Sequence, residues 1–275
     1  MIKVLVTGKN SYIGNSFYDY IKNNYHNEYQ VDKISLKDTN IENIDLCKYD
    51  TVFHVAGIAH SDFGKISEEK SKEYYKVNTD LTIHLAKKAK EQKVKQFIFM
   101  SSIIVYGDSS PIGVKKIITN ETAPCPINAY GDSKLKAEDG LKLLNNDKFK
   151  VAIVRAPLIY GEKSKGNYKT LETIAINLPF FPYVENERSV ISINNLCKYI
   201  KQIIDKCDTG IYFPQDDEYM NTSLMVKKIA NHNDKEMILI HGLTPPLRVL
   251  SKFIPQINKA FGNFVYDKTL KYLDL

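Results

Sequence analysis

Arginine is almost missing from this sequence. Of 38 basic residues in a chain of 275, only Arg155, Arg188 and Arg248 are arginines; lysine supplies the rest. The planar guanidinium fork suits bidentate capture of phosphate or carboxylate. Each of the three is therefore a candidate for a specific contact, with a structural ion pair as the alternative. The chain also lacks any Cys-x-x-Cys pair. Its four cysteines, Cys47, Cys125, Cys197 and Cys207, are scattered, which argues against a zinc or redox motif, so no metal site is expected. No basic run is interleaved with aromatics, which argues against nucleic acid as a partner. The net charge of +6 and pI of about 8.8 instead suit an anionic small ligand. No apolar run is long enough to span a bilayer, and the chain opens straight into a strand with no signal peptide, so a reduced, cytoplasmic compartment is expected. There is no internal repeat and no low-complexity tract.

The length suits one large domain, or one domain with a smaller lobe. Residues 2–6 read as an apolar strand. Thr7-Gly8-Lys9-Asn10-Ser11-Tyr12-Ile13-Gly14 follows, then a helical pattern through Phe17, Tyr20 and Ile21. Strand, glycine turn and helix form the setting in which such a motif binds a dinucleotide. Gly8 permits the turn, Gly14 permits close helix packing, and backbone N–H groups at the helix start face a pyrophosphate. Ser11 stands where the middle glycine usually does; it is small, and its hydroxyl can donate. A second strand is expected over residues 30–36. Its end carries Ser35, Leu36 and Lys37. No carboxylate at Ser35 repels a 2′-phosphate and Lys37 can pair with one, which favours NADP, with NAD possible because Asp38 is close; otherwise Lys37 is solvated surface.

Residues 44–46 read as a short third strand that places Asp45 and Leu46 near an adenine. Residues 51–56 form a continuous apolar strand ending in Val55-Ala56-Gly57, small enough for backbone to pass close to a ligand. A helical pattern through Tyr74, Val77, Leu81, Leu85 and Ala89 leads to a buried strand over residues 96–100. Ser102 follows, where strand ends of an open parallel sheet meet ligands; the alternative role is a turn or cap. Pro124 and Pro126 then deliver the chain to Tyr130-Gly131-Asp132-Ser133-Lys134. Residues four apart share a helix face, so the Lys134 ammonium is expected beside the Tyr130 phenol, lowering its pKa from about 10 towards neutrality. Strands at residues 149–155, 188–193 and 211–213 and helices from Leu171, Asn194 and Leu224 complete the pattern. The apolar, lysine-dotted residues 243–264 are broken by Pro245, Pro246, Pro255 and Gly262. A packed lid is expected there, and membrane contact is not.

These motifs, in this order, resemble the extended short-chain dehydrogenase/reductase family, also called the NAD-dependent epimerase/dehydratase family. The stretches are TGKNSYIG (7–14), VFHVAG (52–57), SSIIVYG (101–107), YGDSK (130–134) and RAPLIYG (155–161), and they cover nearly the whole chain. More narrowly, VKQFIFMSS, FKVAIVRAPLIYG and FGNFVYD are similar to capsule-biosynthesis UDP-sugar 4-ketoreductases. The resemblance implies an α/β fold: a Rossmann-type doubly wound parallel sheet with a small C-terminal substrate lobe. Residues 1–160, with 188–215 returning, would form the NAD(P) domain, and 161–187 with 216–275 the lobe. It implies catalytic roles for Ser102, Tyr130 and Lys134, cofactor contacts from the glycine loop, Val55–Gly57 and Pro157, and a diphosphate contact from Arg188. His60, otherwise a solvated loop histidine, and Asn167 are further candidates for substrate contact. Ile103 and Ile104 stand where 4,6-dehydratases carry an acid pair, so water elimination is rejected. Three readings remain: a UDP-4-keto-hexose reductase, a UDP-hexose 4-epimerase retaining NAD, and a non-catalytic NADP-binding regulator. A homodimer through the helices at 74–89 and 130–144 is implied as well.

Overall fold

The computed structural model describes residues 1–37, 39–58, 66–164 and 166–275, without the side chain of Asn167. Asp38 and His60 therefore lie outside the described residues. Strand β1 (Ile2–Thr7) leads through the glycine turn into α1 (Tyr12–Asn24), and β2 (Tyr29–Ile34) returns parallel beside β1. Next come β3 (Thr51–His54), α2 (Glu68–Tyr74), a π turn (Tyr75–Asp80) and α3 (Leu81–Glu91), the three helical pieces running on without a break. Then follow β4 (Gln96–Ser102), the short β5 (Ile117–Ile118), α4 (Ala129–Lys142) and β6 (Lys150–Ala156). The second half adds β7 (Leu158–Tyr160), α5 (Asn167–Asn177), β8 (Phe180–Pro182), β9 (Val190–Ser192), α6 (Ile193–Lys206) and β10 (Gly210–Tyr212). It ends with α7 (Thr222–His232), β11 (Ile238–Ile240), α8 (Thr244–Leu250), α9 (Pro255–Phe261), β12 (Val265–Tyr266) and β13 (Tyr272–Leu273).

The central sheet runs β2-β1-β3-β4-β6-β10-β13. Its strands are parallel except β13, which pairs antiparallel with β10. The chain moves outward from β1 to β2 and then crosses to β3 on the other side, so the crevice between the ends of β1 and β3 is the topological switch point where open α/β sheets bind ligands. One face of the sheet packs on α3 and α4 through Leu85, Ala89, Ala137 and Leu141. The other packs on α1 and α6 through Phe17, Ile21, Leu196 and Ile200. A separate apolar cluster gathers Leu171, Ala175, Phe181, Val226, Ile229 and Phe261 beside the sheet. Strands buried on both faces need apolar residues throughout, as β3, β4 and β6 have.

Two expectations change. Residues 44–46 form no strand. The Leu46 N–H donates to Gln92 Oε1 at 2.6 Å, so it is spent on a side chain rather than a ladder, and β2 is the sheet edge. The third-strand position of Asp45 is replaced by a turn: its exposed carboxylate accepts the Cys47 N–H at 3.1 Å. At the far end, β13 adds a sheet strand after residues 211–213 that was not among the expected strands.

Candidate active site

The glycine turn is shaped by one backbone requirement. Gly8 has φ of +92°, and a Cβ there would stand 3.1 Å from the Ala56 nitrogen. Only glycine takes that conformation without strain. It lets the end of β1 lie against the Val55-Ala56-Gly57 segment after β3, in register through Thr7 and His54. Ser11 caps α1: its hydroxyl oxygen accepts the Gly14 N–H at 2.9 Å, which leaves the hydroxyl hydrogen to donate. The first turn of α1 opens on a cleft of about 500 Å³ lined by Ser11, Tyr12 and Ile13 on one side and Tyr130, Lys134 and Pro157 on another. A close backbone approach and a helix N-terminus without acidic residues suit a dinucleotide pyrophosphate.

Ser102 ends β4 in the same cleft and caps the 3-10 turn that follows, accepting the Ile104 N–H at 3.3 Å. Asn128 caps α4, accepting the Gly131 N–H at 2.8 Å, so Tyr130 and Lys134 project from the first turns of that helix. Burial pushes the Tyr130 phenol up to about 12, opposed by a hydrogen bond with the Ser102 side chain. This differs from the lowered phenol expected from the Tyr-x-x-x-Lys spacing. The reason lies with Lys134. Its ammonium donates to the Met100 carbonyl at 3.0 Å and sits 4.6 Å from the Phe99 ring centre. Desolvation lowers it to about 8, opposed by Glu138. The phenol is thus a neutral proton donor that keeps its hydrogen at neutral pH, and the amine is a cation held close to losing its proton.

Arg188 lines the opposite wall with Asp108, Ser109, Lys259 and Phe264. Its Nη1 donates to the Lys259 carbonyl at 2.5 Å and to Ser109 Oγ at 3.4 Å. Burial lowers the guanidinium to about 10, with Asp108 acting in the other direction. Arg155 takes the structural role: it pairs with the fully buried Glu138 at 2.6 Å and donates to the Tyr106 hydroxyl. Arg248 is exposed on α8. Val55 and Gly57 line the cleft, whereas Asn10, Ser35, Lys37, Asp45 and Leu46 are outside its described lining. Lys37 is exposed and Leu46 is in the core.

Sequence reading missed Asn78. Buried in the π turn, its Oδ1 accepts the Ile58 N–H at 2.8 Å while Nδ2 donates to the Ile58 carbonyl and to Ser133 Oγ, both at 3.2 Å. It ties the segment after β3 to the helix that carries Tyr130. A Cβ on Gly57 would stand 2.9 Å from Asn78 Oδ1 and 3.3 Å from Lys134 Nζ, so these groups share one tight spot. A polar residue breaking the apolar periodicity between Val77 and Leu81 was the available signal; π turns recur at functional sites. Also missed was His54, buried between β1 and α3. Its Nδ1 meets Thr7 Oγ1 at 2.7 Å and its Nε2 meets Thr82 Oγ1 at 2.9 Å. Because Thr82 spends its hydroxyl hydrogen on the Asn78 carbonyl at 2.8 Å, it accepts from Nε2–H, which sets the neutral tautomer.

Among the described residues, no group of three His, Cys, Asp or Glu could hold a metal, and no helix is long and apolar enough to cross a membrane. The chain is 36% identical over 190 residues to a UDP-glucose 4-epimerase of Vibrio cholerae, covering 67% of this chain and 57% of that protein. It is 29% identical over 218 residues to an N-acetyl-alpha-D-glucosaminyl-diphospho-ditrans,octacis-undecaprenol 4-epimerase of Escherichia coli O157:H7, covering 76% and 62%. It thus spans about six tenths of the length of these curated relatives. In fold it is similar to a UDP-glucuronic acid 4-epimerase of Bacillus cereus solved with NAD, with a TM-score of 0.71 at 17% identity, covering 100% of this chain and 92% of that one. Residues 4–210, three quarters of the chain and all of the cleft's glycine-turn and Tyr-Lys walls, match a single family description. By that match the chain belongs to the NAD dependent epimerase/dehydratase family.

Proposed function

We propose that this chain transfers hydride at C4 of a UDP-sugar, reducing the 4-keto group of a UDP-4-keto-hexose in surface polysaccharide biosynthesis. The observation that carries the reading is the meeting of Ser102, Tyr130 and Lys134 in one cleft whose other wall presents Arg188. A bound nicotinamide dinucleotide supplies the hydride. Tyr130, kept protonated by burial, gives its proton to the C4 oxygen as charge develops there. Ser102 donates to the same oxygen and stabilises that charge. Lys134 holds the nicotinamide ribose and offers its positive charge to the phenolate left behind. Arg188 pairs with the diphosphate. NADP is favoured by the absence of a carboxylate at Ser35 and by Lys37. In this reading residues 1–160 and 188–215 hold the cofactor, while 161–187 and 216–275, with His60 and Asn167, meet the sugar. The protein is a cytoplasmic homodimer joined through helices 74–89 and 130–144.

A second reading, a 4-epimerase with retained NAD, is favoured by the names of both curated relatives. Purified protein separates the two. Reduction predicts NADPH oxidation that depends on an added UDP-4-keto-hexose. Tightly retained NAD, with two UDP-sugars interconverted and no net redox change, replaces it with epimerisation. Cofactor binding with neither activity leaves the regulatory reading.

A further inference from the structure

We propose that α8 and α9 form a docking surface for an anionic lipid bilayer. The two short helices follow one another, and their side chains Leu247, Ile257 and Phe261 pack on or within the apolar cluster beside the sheet. The side chains between them turn outward. Phe253 is 79% exposed and Val249 58%, with Leu250 and Ile254 at 45% and 44%. No residue of α8 is buried. In the β8–β11 ribbon, whose Phe181 belongs to the same apolar cluster, Ile238 pairs in register with Phe180 and both are more than half exposed. A lone exposed leucine is ordinary, but Val249, Leu250, Phe253 and Ile254 are four exposed apolar residues within six positions, which marks an interaction face.

Charge selects the partner. Residues 237–266 contain no aspartate or glutamate, while Arg248, Lys252 and Lys259 are basic. The chain as a whole carries 32 carboxylates, so thirty residues without one is a local segregation. Exposed apolar side chains next to the exposed cations Arg248 and Lys252 fit a bilayer interface: the apolar groups enter the acyl boundary and the cations meet lipid phosphates. Pro245 and Pro246 open the first helix and Pro255 opens the second, and each helix has 7 residues, too short to span a bilayer. The same segment reaches the cleft, since Lys259 and Phe264 line it and the Lys259 carbonyl holds Arg188. Docking therefore brings the Arg188 wall near the headgroups. The packed lid expected from sequence is half right: one side packs, the other faces outward.

The test uses the full chain with sedimenting vesicles of phosphatidylcholine, with or without about 30 mol % phosphatidylglycerol, at physiological salt. The wild type is expected to pellet with the anionic vesicles and to stay in solution with the neutral ones. The L250S/F253S pair is expected to weaken partitioning about tenfold or more, from lost apolar insertion. K252E, an exposed change that leaves the packed side untouched, is expected to weaken it similarly, and the effect should fade in high salt. Melting curves confirm that each variant is folded. A wild type that stays in the supernatant with anionic vesicles overturns the proposal, as do folded variants that bind like wild type. So does a dimer that dissociates on L250S/F253S without any vesicle binding, which assigns the face to a second copy of the chain.

Discussion

At the scale of single residues, the cleft balances two buried groups against each other. Tyr130 is held protonated and Lys134 barely so. Replacing Tyr130 with Phe is expected to lower kcat about 10²- to 10⁴-fold, with the melting temperature unchanged, because only a proton donor is removed. Turnover should also decline as pH rises past about 8, where Lys134 loses its charge; a pH profile of kcat/KM checks this. The same burial has a stability cost. Displacing Lys134 from its ordinary 10.5 to about 8 corresponds to about 3 kcal/mol against the charged form at neutral pH. Lys134→Met removes that cost and forfeits one hydrogen bond of about 1 kcal/mol. It is expected to give an inactive protein that melts higher than wild type. His54 sets a limit on the acid side. Burial lowers it from 6.5 to about 3, so below pH 6.5 the unfolded chain takes up a proton that the folded one refuses. Stability then falls with pH, by about 2 kcal/mol between pH 6.5 and pH 5 from this group. Urea unfolding at the two values measures it, and His54→Gln should remove most of that difference.

At the scale of elements, the π turn between α2 and α3 joins the two halves of the site. Asn78→Ala strands the Ile58 N–H and removes the bond to the Ile58 carbonyl, while the Ser133 hydroxyl keeps its bond to the Tyr130 carbonyl; it is expected to cost about 2–3 kcal/mol and to raise amide exchange at Ile58. Hydrogen exchange read by mass spectrometry tests that pairing. This joint was hidden in the sequence because apolar spacing reports which face of a helix is buried, not whether its hydrogen bonds run to i−4 or i−5. Other elements were legible for physical reasons. β4 and β6 are long apolar runs buried on both faces, and the glycine turn between β1 and α1 needs a residue type that few other places need. The strand expected at 44–46 and the unforeseen β13 share one cause. Each is a stretch of two or three residues whose pairing depends on which edge lies nearby. Lys134 was found by spacing, but its effect on Tyr130 was not, because the Met100 carbonyl that holds the ammonium comes from a strand some thirty residues earlier.

At the scale of the whole molecule, the cleft is built from both ends of the sequence, with Ser11 and Val55 facing Arg188 and Phe264. A nucleotide bound there adds its binding energy to the folded state. At about one hundred times its Kd, NADPH is expected to add about 2.7 kcal/mol and to raise the melting temperature by several degrees. NADH at equal concentration should do less if Lys37 reads a 2′-phosphate. Equal shifts, or a larger one with NADH, would remove the preference for NADP.

The strand β12 has a consequence for how the protein comes into being. It returns from residues 265–266 to pair with residues 117–118, made far earlier, while the backbone of Phe264 clasps Glu187 and Ser189. Most of the parallel sheet is complete by β6, so a chain emerging from the ribosome can shape its nucleotide half well before Lys259 and Phe264 exist. Until that late thread is drawn through, the polypeptide owns a cradle with one wall still unwritten.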